Sequence, residues 1–137
     1  MTKRKKLPSA KDWQARHIDD WNTTTFHTYL SDKHKEIFGV DYVPFRGWRV
    51  EQGLIGNLIG TKTKARQASN EQVKRFIDEC FATYKPSREY PGTSFGFSWA
   101  YRKNIWQRVQ AESKQKAEAV RAEEEQKVGW EELAEWL

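Results

Sequence analysis

Ser69-Asn-Glu-Gln-Val-Lys-Arg-Phe-Ile-Asp-Glu-Cys-Phe-Ala-Thr-Tyr84 is the stretch that decides the fold class of this chain. Ser69 and Gln72 stand three residues apart, which is the spacing of a capping box that opens a helix. An apolar stripe at helical spacing follows and consists of Val73, Phe76, Ile77, Cys80, Phe81 and Tyr84. Pro86 marks the end, because proline disfavours helical backbone in the residue before it. The stretch therefore predicts a helix over about residues 70–84, with one buried face.

Residues 24–38 and 49–60 repeat apolar side chains at the same helical spacing. Asn22 or Thr23 is a suitable cap for the first of these helices, and Gly39 is a suitable stop. Two glycines inside the second helix weaken it by roughly 1 kcal/mol each relative to alanine. We therefore expect two further helices before the one at 70–84.

The two ends of the chain carry weaker helical patterns. Ser9 and Asp12 form a weak capping box that predicts a short helix through Trp13. Thr93 or Ser94 opens a long helix whose apolar stripe ends near residue 110. Because alternating strand patterns are nearly lacking, the predicted fold class is all-α. It is a small domain of four to five helices with a long, partly solvated C-terminal helix and a terminal peptide.

Composition divides the chain into four predicted parts. Residues 1–9 are a disordered basic arm, and residues 10–110 form the helical domain. Residues 111–128 are a charged helical spacer, because they are rich in strong helix formers and offer no apolar face. Residues 129–137 are an amphipathic docking tail, which Gly129 is expected to separate from the spacer by breaking the helix.

The residue inventory argues against catalysis, a cofactor or a metal centre. Cys80 is the single cysteine and the three histidines are scattered, so neither an internal disulfide nor a metal-ligand cluster is predicted. A phosphate-binding glycine loop and a catalytic triad pattern are also missing. The basic start lacks the apolar stretch of a signal peptide, and no apolar run approaches the ~20 residues of a membrane span. We expect a cytoplasmic protein that is not an enzyme.

Basic residues are concentrated in the first and middle parts of the chain. The net charge is +5, yet residues 44–110 carry twelve basic and five acidic groups, whereas residues 111–137 carry four basic and eight acidic. A basic surface binds nucleic-acid phosphates by releasing counterions, although it can also be an ordinary solvated surface. The candidate phosphate-binding residues are Lys3, Arg4, Lys5, Lys6, Lys62, Lys64, Arg66, Lys74 and Arg75.

Aromatic residues lie among basic ones between residues 90 and 106. Such a set can stack single-stranded bases, but most of its members fit the packing stripe of a helix. Phe97 and Tyr101 fall off that stripe, so they are the aromatic side chains best placed for a contact outside the core.

The last eight residues form an amphipathic pattern with two tryptophans. Trp130, Leu133, Trp136 and Leu137 share one side of a helix, and glutamates fill the other positions. These four residues are the predicted partner-binding set, inserted into a groove on another protein with the glutamates selecting a basic rim. The alternative is that the tail folds back and covers its own domain, because exposed tryptophans are costly.

Two stretches of the domain resemble known small proteins. Val73-Lys-Arg-Phe-Ile-Asp-Glu-Cys-Phe81 and Tyr90-Pro-Gly-Thr-Ser-Phe-Gly-Phe-Ser-Trp99 resemble small proteins that bacterial viruses encode among replication and transcription genes. The acidic and apolar tail is similar in kind to the tails of phage late-transcription coactivators, which dock on the sliding clamp. Phage helicase loaders also pair a small helical domain with a partner-binding tail. The resemblance implies no catalytic residues.

These observations lead to one main hypothesis and two alternatives. The main hypothesis is an accessory protein of phage DNA replication or transcription, acting in the cytoplasm of the bacterial host. It would contact DNA or a DNA-bound machine and would tether a sliding clamp, polymerase or helicase through its tail. The first alternative is a protein-binding module, such as an inhibitor of a host enzyme, without nucleic-acid contact. The second is a structural or virion component.

Overall fold

The computed structural model describes residues 7–136. A 3₁₀ turn at Ile18–Asp20 comes first. It is followed by α1 (Thr23–Phe38), α2 (Trp48–Ile59), α3 (Asn70–Thr83), α4 (Phe95–Tyr101) and α5 (Lys103–Trp136). Within residues 7–136 there is no strand. The predicted all-α class, with four to five helices and a long C-terminal helix, is confirmed.

The starts of α1 and α3 are fixed by the capping residues that the sequence predicts. The Ser69 hydroxyl accepts a hydrogen bond from the Gln72 backbone N–H at 3.1 Å, and the Gln72 side chain accepts one from the Ser69 N–H at 3.1 Å. Asn22 and Thr25 form the equivalent reciprocal pair at α1. Gly39 ends α1 in the left-handed conformation, with φ of 73°. Each cap satisfies backbone groups that have no partner inside the helix.

Aromatic rings form the centre of the core, and the apolar face of α3 packs against them. Phe76 is fully buried and meets three other rings edge-on, those of Phe95, Trp99 and Trp106, with centroids 5.7–5.9 Å apart. Edge-to-face packing is the favoured arrangement of aromatic rings at these distances. The Phe76 contacts therefore join α3 to both α4 and α5.

The short helix predicted through Trp13 does not form, so that prediction is wrong. The Asp12 N–H donates to the Ser9 carbonyl at 2.9 Å and makes a turn. The Trp13 ring instead packs edge-on against Trp21 and Tyr29, with centroids 6.2 and 4.8 Å away. These tertiary aromatic contacts outweigh a weak local capping signal.

The helix after Ser94 is divided, but not where the sequence predicted. Arg102 leaves the helical conformation, with φ of −129° and ψ of 36°, so α4 and α5 are separate. The helix break predicted at Gly129 is wrong, because α5 continues through Gly129 to Trp136. One glycine costs only about 1 kcal/mol relative to alanine, and the surrounding residues are strong helix formers.

Cys80 gives a direct probe of this core. Its side chain is 1% exposed, and burial raises the pKa of its thiol to about 11. Because the thiolate is the nucleophile, Cys80 in the folded protein should react with a disulfide reagent at pH 8 at least about a hundredfold more slowly than an exposed thiol. Ala82→Cys in a Cys80→Ala background supplies the exposed thiol on the same helix. Equal rates for the two proteins would contradict the described packing of α3.

Candidate functional site

The last turns of α5 present their apolar side chains to solvent. Every residue from Lys114 to Trp136 is exposed, so α5 extends beyond the packed domain. Trp130, Leu133 and Trp136 are 72%, 54% and 89% exposed. We call residues 130–136 the docking segment. Leu137, the fourth predicted partner-binding residue, lies outside the described residues.

The docking segment separates its apolar and acidic side chains. Leu133 follows Trp130 by three residues and Trp136 follows Leu133 by three, so the three side chains share one side of the helix. Glu131, Glu132 and Glu135 occupy the other side, and residues 129–137 contain no basic group. The segment is an acidic amphipathic helix that no part of residues 7–128 covers.

A cleft of about 920 Å³ lies beside α4, at the opposite end of α5. Its walls are the connection at residues 40–46, the loop at residues 84–94, and the Phe97 and Tyr101 side chains of α4. Apolar groups dominate its mouth: Val43 is 74% exposed, Tyr90 65% and Tyr101 70%. Phe97 and Tyr101 are the two aromatic residues that the sequence placed off the packing stripe.

A buried carboxylate holds the first wall of the cleft. Glu51 of α2 is fully buried and accepts hydrogen bonds from the Tyr42 hydroxyl at 2.5 Å, the Phe45 N–H at 2.7 Å and the Gly96 N–H at 3.1 Å. The Tyr42 oxygen in turn accepts from the Phe95 N–H at 2.9 Å. The wall at 42–45 and the start of α4 are therefore bound to the same side chain of α2.

Burial and hydrogen bonding act on Glu51 in opposite directions. Burial raises the pKa of Glu51 above its ordinary value, while the hydrogen bonds from Tyr42, Gly96 and Phe45 oppose that rise by favouring the ionised form. The close packing also requires glycine at 96, because a Cβ there would lie 2.9 Å from the Cβ of Phe45. The helix N-terminus at α4 adds a favourable dipole for the carboxylate.

A buried histidine holds the second wall. His34 of α1 is 2% exposed, its Nδ1 lies 3.0 Å from the Val40 carbonyl, and its Nε2 lies 3.1 Å from the Thr93 backbone nitrogen. These partners assign the neutral tautomer in which Nδ1–H donates and Nε2 accepts. A Cβ at Gly92 would overlap the His34 ring. The loop at 84–94 is thus fixed to α1.

Three of the predicted phosphate-binding residues share one loop. Lys62, Lys64 and Arg66 are exposed between α2 and α3. Lys64 donates to the Asn57 side chain at 2.5 Å, and the Arg66 guanidinium donates to the Ala68 carbonyl at 3.1 Å. A hollow of about 330 Å³ next to this loop is lined by Lys64 and by Arg49 of α2, among others.

The other two described candidates are paired with acids. Lys74 lies 2.8 Å from Asp78, and Arg75 contacts both Glu79 and Glu112. Because acidic side chains offset their charge, Lys74 and Arg75 do not form a single basic patch with the loop residues Lys62, Lys64 and Arg66. Lys3, Arg4, Lys5 and Lys6 lie outside the described residues.

The structure also bears on metals and membranes. Among residues 7–136, no three His, Cys, Asp or Glu side chains come together as metal ligands would. None of the helices in this range is long and apolar enough to cross a membrane.

Comparison with known proteins returns no match: no family model, no curated protein and no solved structure is significantly similar to this chain.

Replacing Glu51 by glutamine tests the carboxylate that holds the cleft. Both carboxylate oxygens of Glu51 accept hydrogen bonds, but one of the two terminal groups of glutamine is an –NH₂ that can only donate. At least one of the present donors then loses its acceptor, so Glu51→Gln should lower the free energy of unfolding by about 1–3 kcal/mol. Urea unfolding measures the change, and Glu118→Gln on the exposed part of α5 is the matched control. A Glu51→Gln effect as small as that of the control would show that the carboxylate does not hold the wall.

Proposed function

We propose that this protein is a non-catalytic adaptor that binds a partner protein through its docking segment, residues 130–136. The observation that carries the proposal is the exposure of two tryptophans and one leucine at the far end of a continuous helix. Clustered exposed apolar side chains mark interaction surfaces, and tryptophan is among the residues that contribute most to binding.

The chemistry of the segment defines the partner that fits it. An amphipathic helix binds by laying its apolar side into a groove, and the anchors here are Trp130, Leu133 and Trp136. The glutamates on the other side favour a groove with a basic rim, which increases the association rate and the specificity. The exposed helix between the domain and the segment spans residues 114–129, or roughly 24 Å at 1.5 Å per residue. That distance gives a large partner room to bind.

The cellular setting of this adaptor stays a prediction that rests on the sequence resemblance. Phage DNA replication or transcription in a bacterial cytoplasm is the proposed setting, and a sliding clamp, polymerase or helicase is the proposed class of partner. A groove with a basic rim on one of these proteins would match the acidic docking segment. An inhibitor of a host enzyme would use the same segment on a different target.

Contact with nucleic acid is a second proposed activity, with a narrower basis. Lys62 and Lys64 are exposed on one loop, and Arg49 lies with Lys64 at the adjoining hollow. Phosphate groups are the ligands that such a set of cations attracts. Because the set has only a few cations, we expect it to strengthen the binding of the adaptor to a DNA-bound machine through phosphate contacts. We do not expect it to recognise a particular base sequence.

Substitution of both tryptophans tests the docking proposal. Trp130→Ala/Trp136→Ala should abolish measurable binding to the partner, because two exposed anchors are lost, and should leave the free energy of unfolding within about 0.5 kcal/mol. The probes are purified bacterial sliding clamp, replicative polymerase and replicative helicase, each tested for binding to the immobilised 137-residue chain. Unfolding is measured at the lowest protein concentration that the signal allows.

The matched control for this test is Val120→Ala/Val128→Ala, which also truncates two exposed apolar residues of α5. It should bind like the wild-type chain. Unchanged binding by the tryptophan variant, or a collapse of its stability, would contradict the proposal.

A salt series tests the nucleic-acid proposal. The logarithm of the association constant for duplex DNA should fall linearly with the logarithm of salt concentration, and Lys62→Ala/Lys64→Ala should reduce that slope by about two. Lys74→Ala/Arg75→Ala is the matched control, because its cations are already paired with acids. Fluorescence anisotropy measures both. Absence of DNA binding even at about 50 mM salt would favour the pure protein-binding module.

A further inference from the structure

The cleft beside α4 exposes apolar side chains that no segment of residues 7–136 covers. Val43, Tyr90 and Tyr101 are each at least 65% exposed at its mouth, and Phe97 is 36% exposed. Its volume of about 920 Å³ is in the upper part of the range for sites that enclose drug-sized ligands, so it has room for bulky side chains. Large exposed apolar surfaces of this kind mark binding sites.

The docking segment is chemically suited to this cleft. Its anchors are two indole rings and a leucine, and the cleft offers aromatic rings at Tyr90, Phe97 and Tyr101. The Phe97 and Tyr101 rings lie with centroids 5.0 Å apart and form one continuous aromatic wall. Aromatic pairs contribute beyond their buried area, and the indole N–H can keep a polar partner at the rim.

The segment of one copy does not reach its own cleft while α5 stays continuous. Tyr101 lines the cleft and lies just before Lys103, where α5 begins. Trp130 lies 27 residues beyond Lys103, which is roughly 40 Å along the helix at 1.5 Å per residue. The cleft and the docking segment therefore lie at opposite ends of the same helix.

A second copy in antiparallel orientation removes this separation. If two α5 helices lie side by side in opposite directions, the end of each falls beside the start of the other. Each docking segment then meets the partner copy's cleft, and the two contacts are related by a two-fold axis. Such a self-complementary interface is the commonest kind in homodimers.

Charge supports the antiparallel orientation. Residues 122–137 carry six acidic groups and one basic group, whereas residues 101–110 carry three basic groups and no acidic one. Arg108 is already paired with Glu79 of α3, so Arg102 and Lys103 are the cations at the start of α5 that have no acidic partner within residues 7–136.

The charged side chains that line the cleft are Asp41, Arg46 and Glu89, and Lys85 and Arg88 lie in the same loop as Glu89 without lining the cleft. The positive charge that faces the acidic segment therefore comes mainly from the start of α5. An antiparallel pair places the acidic end of each helix beside the basic start of the other, and a parallel pair places like charges together.

From these observations we infer that two copies of this chain associate by reciprocal insertion of the docking segment of each into the cleft of the other. The inference rests on the proposed function, because it uses the same segment. Self-association covers the apolar side of the segment until a partner's groove competes for it. The two contacts form on the same pair of molecules, so each raises the effective concentration for the other.

Sedimentation velocity over a range of protein concentrations tests the inference with the full chain. The wild-type chain should show a concentration-dependent monomer–dimer equilibrium that weakens as salt is added. Trp130→Ala/Trp136→Ala and, separately, Tyr101→Glu should each raise the dimer dissociation constant at least about tenfold. Tyr101 is 70% exposed, so the glutamate should leave the fold intact. Val120→Ala/Val128→Ala should leave the dissociation constant within about twofold.

Cross-linking between copies tests the pairing itself. One chain carries Tyr101→Cys and the other Leu133→Cys, both with Cys80→Ala, and diamide oxidises the mixture. The expected product is the disulfide between position 101 of one copy and position 133 of the other, in excess over both symmetric products. Predominance of a symmetric product, or no product beyond that of the unfolded chains, would overturn the inference.

The outcomes separate this inference from the proposed function. A wild-type chain that is monomeric at every concentration overturns self-association and leaves partner binding by the docking segment unaffected. A second contrary result is a dimer that persists in the tryptophan variant and in Tyr101→Glu but is lost in Val120→Ala/Val128→Ala. That result would show pairing through the middle of α5, and it would also overturn the inference. Partner binding that fails while the dimer forms contradicts only the proposed function.

Discussion

The buried carboxylate of Glu51 is the constraint on which the arrangement of this domain depends. A carboxylate inside an apolar core is costly unless donors surround it, and here a tyrosine hydroxyl and two backbone N–H groups supply them. Those donors come from the connection after α1 and from the first turn of α4. Satisfying one side chain of α2 thereby fixes two chain segments that are distant in sequence. His34 does the same for the loop before α4, with the Val40 carbonyl and the Thr93 N–H.

These two polar centres explain why an irregular part of the chain can form a defined surface. The walls of the cleft are mostly loops, which would ordinarily be the most mobile part of a small helical protein. Buried hydrogen bonds hold them, so apolar residues such as Val43, Tyr90 and Tyr101 stay exposed at defined positions. After the break at Arg102, α5 begins and extends the docking segment away from the domain. One helix thus separates two exposed apolar surfaces, the cleft and the docking segment.

Local sequence signals predicted where the main helices begin, whereas long-range contacts determined the structure of the segments with weak local signals. The capping pairs at Ser69 and Asn22 are complete within four residues, so the starts of α3 and α1 could be predicted from sequence. The pattern at Ser9 was equally local but weaker, and Trp13 found better contacts with Trp21 and Tyr29 than a helix would give it. Gly129 does not end α5, because a single glycine in a strongly helix-forming stretch costs less than the helix around it gains.

The candidate site was only partly predictable, for related physical reasons. The exposure of Trp130 and Trp136 could be predicted, because the charged stretch before them offers no apolar surface to cover them. The exposure of Phe97 and Tyr101 could be predicted because both residues lie off the packing stripe of their helix. The role of Glu51 had no sequence signal, because a glutamate in the first turn of a helix is typical of an exposed position. The pairing of Lys74 with Asp78 could have been predicted from their spacing of four residues, whereas the contact of Arg75 with Glu112 depends on how α3 meets α5.

The docking segment stands clear of its own domain at the far end of a continuous α5. An electron spin resonance distance between labels at Asn104→Cys and Ala134→Cys tests this arrangement most directly, in a Cys80→Ala chain diluted with unlabelled chain so that only distances within one molecule are seen. We expect a single distance near 45 Å, because 30 residues of helix rise about 1.5 Å each. A major population at less than half that distance would contradict it, because the helix would then be broken and the segment folded back onto its own domain.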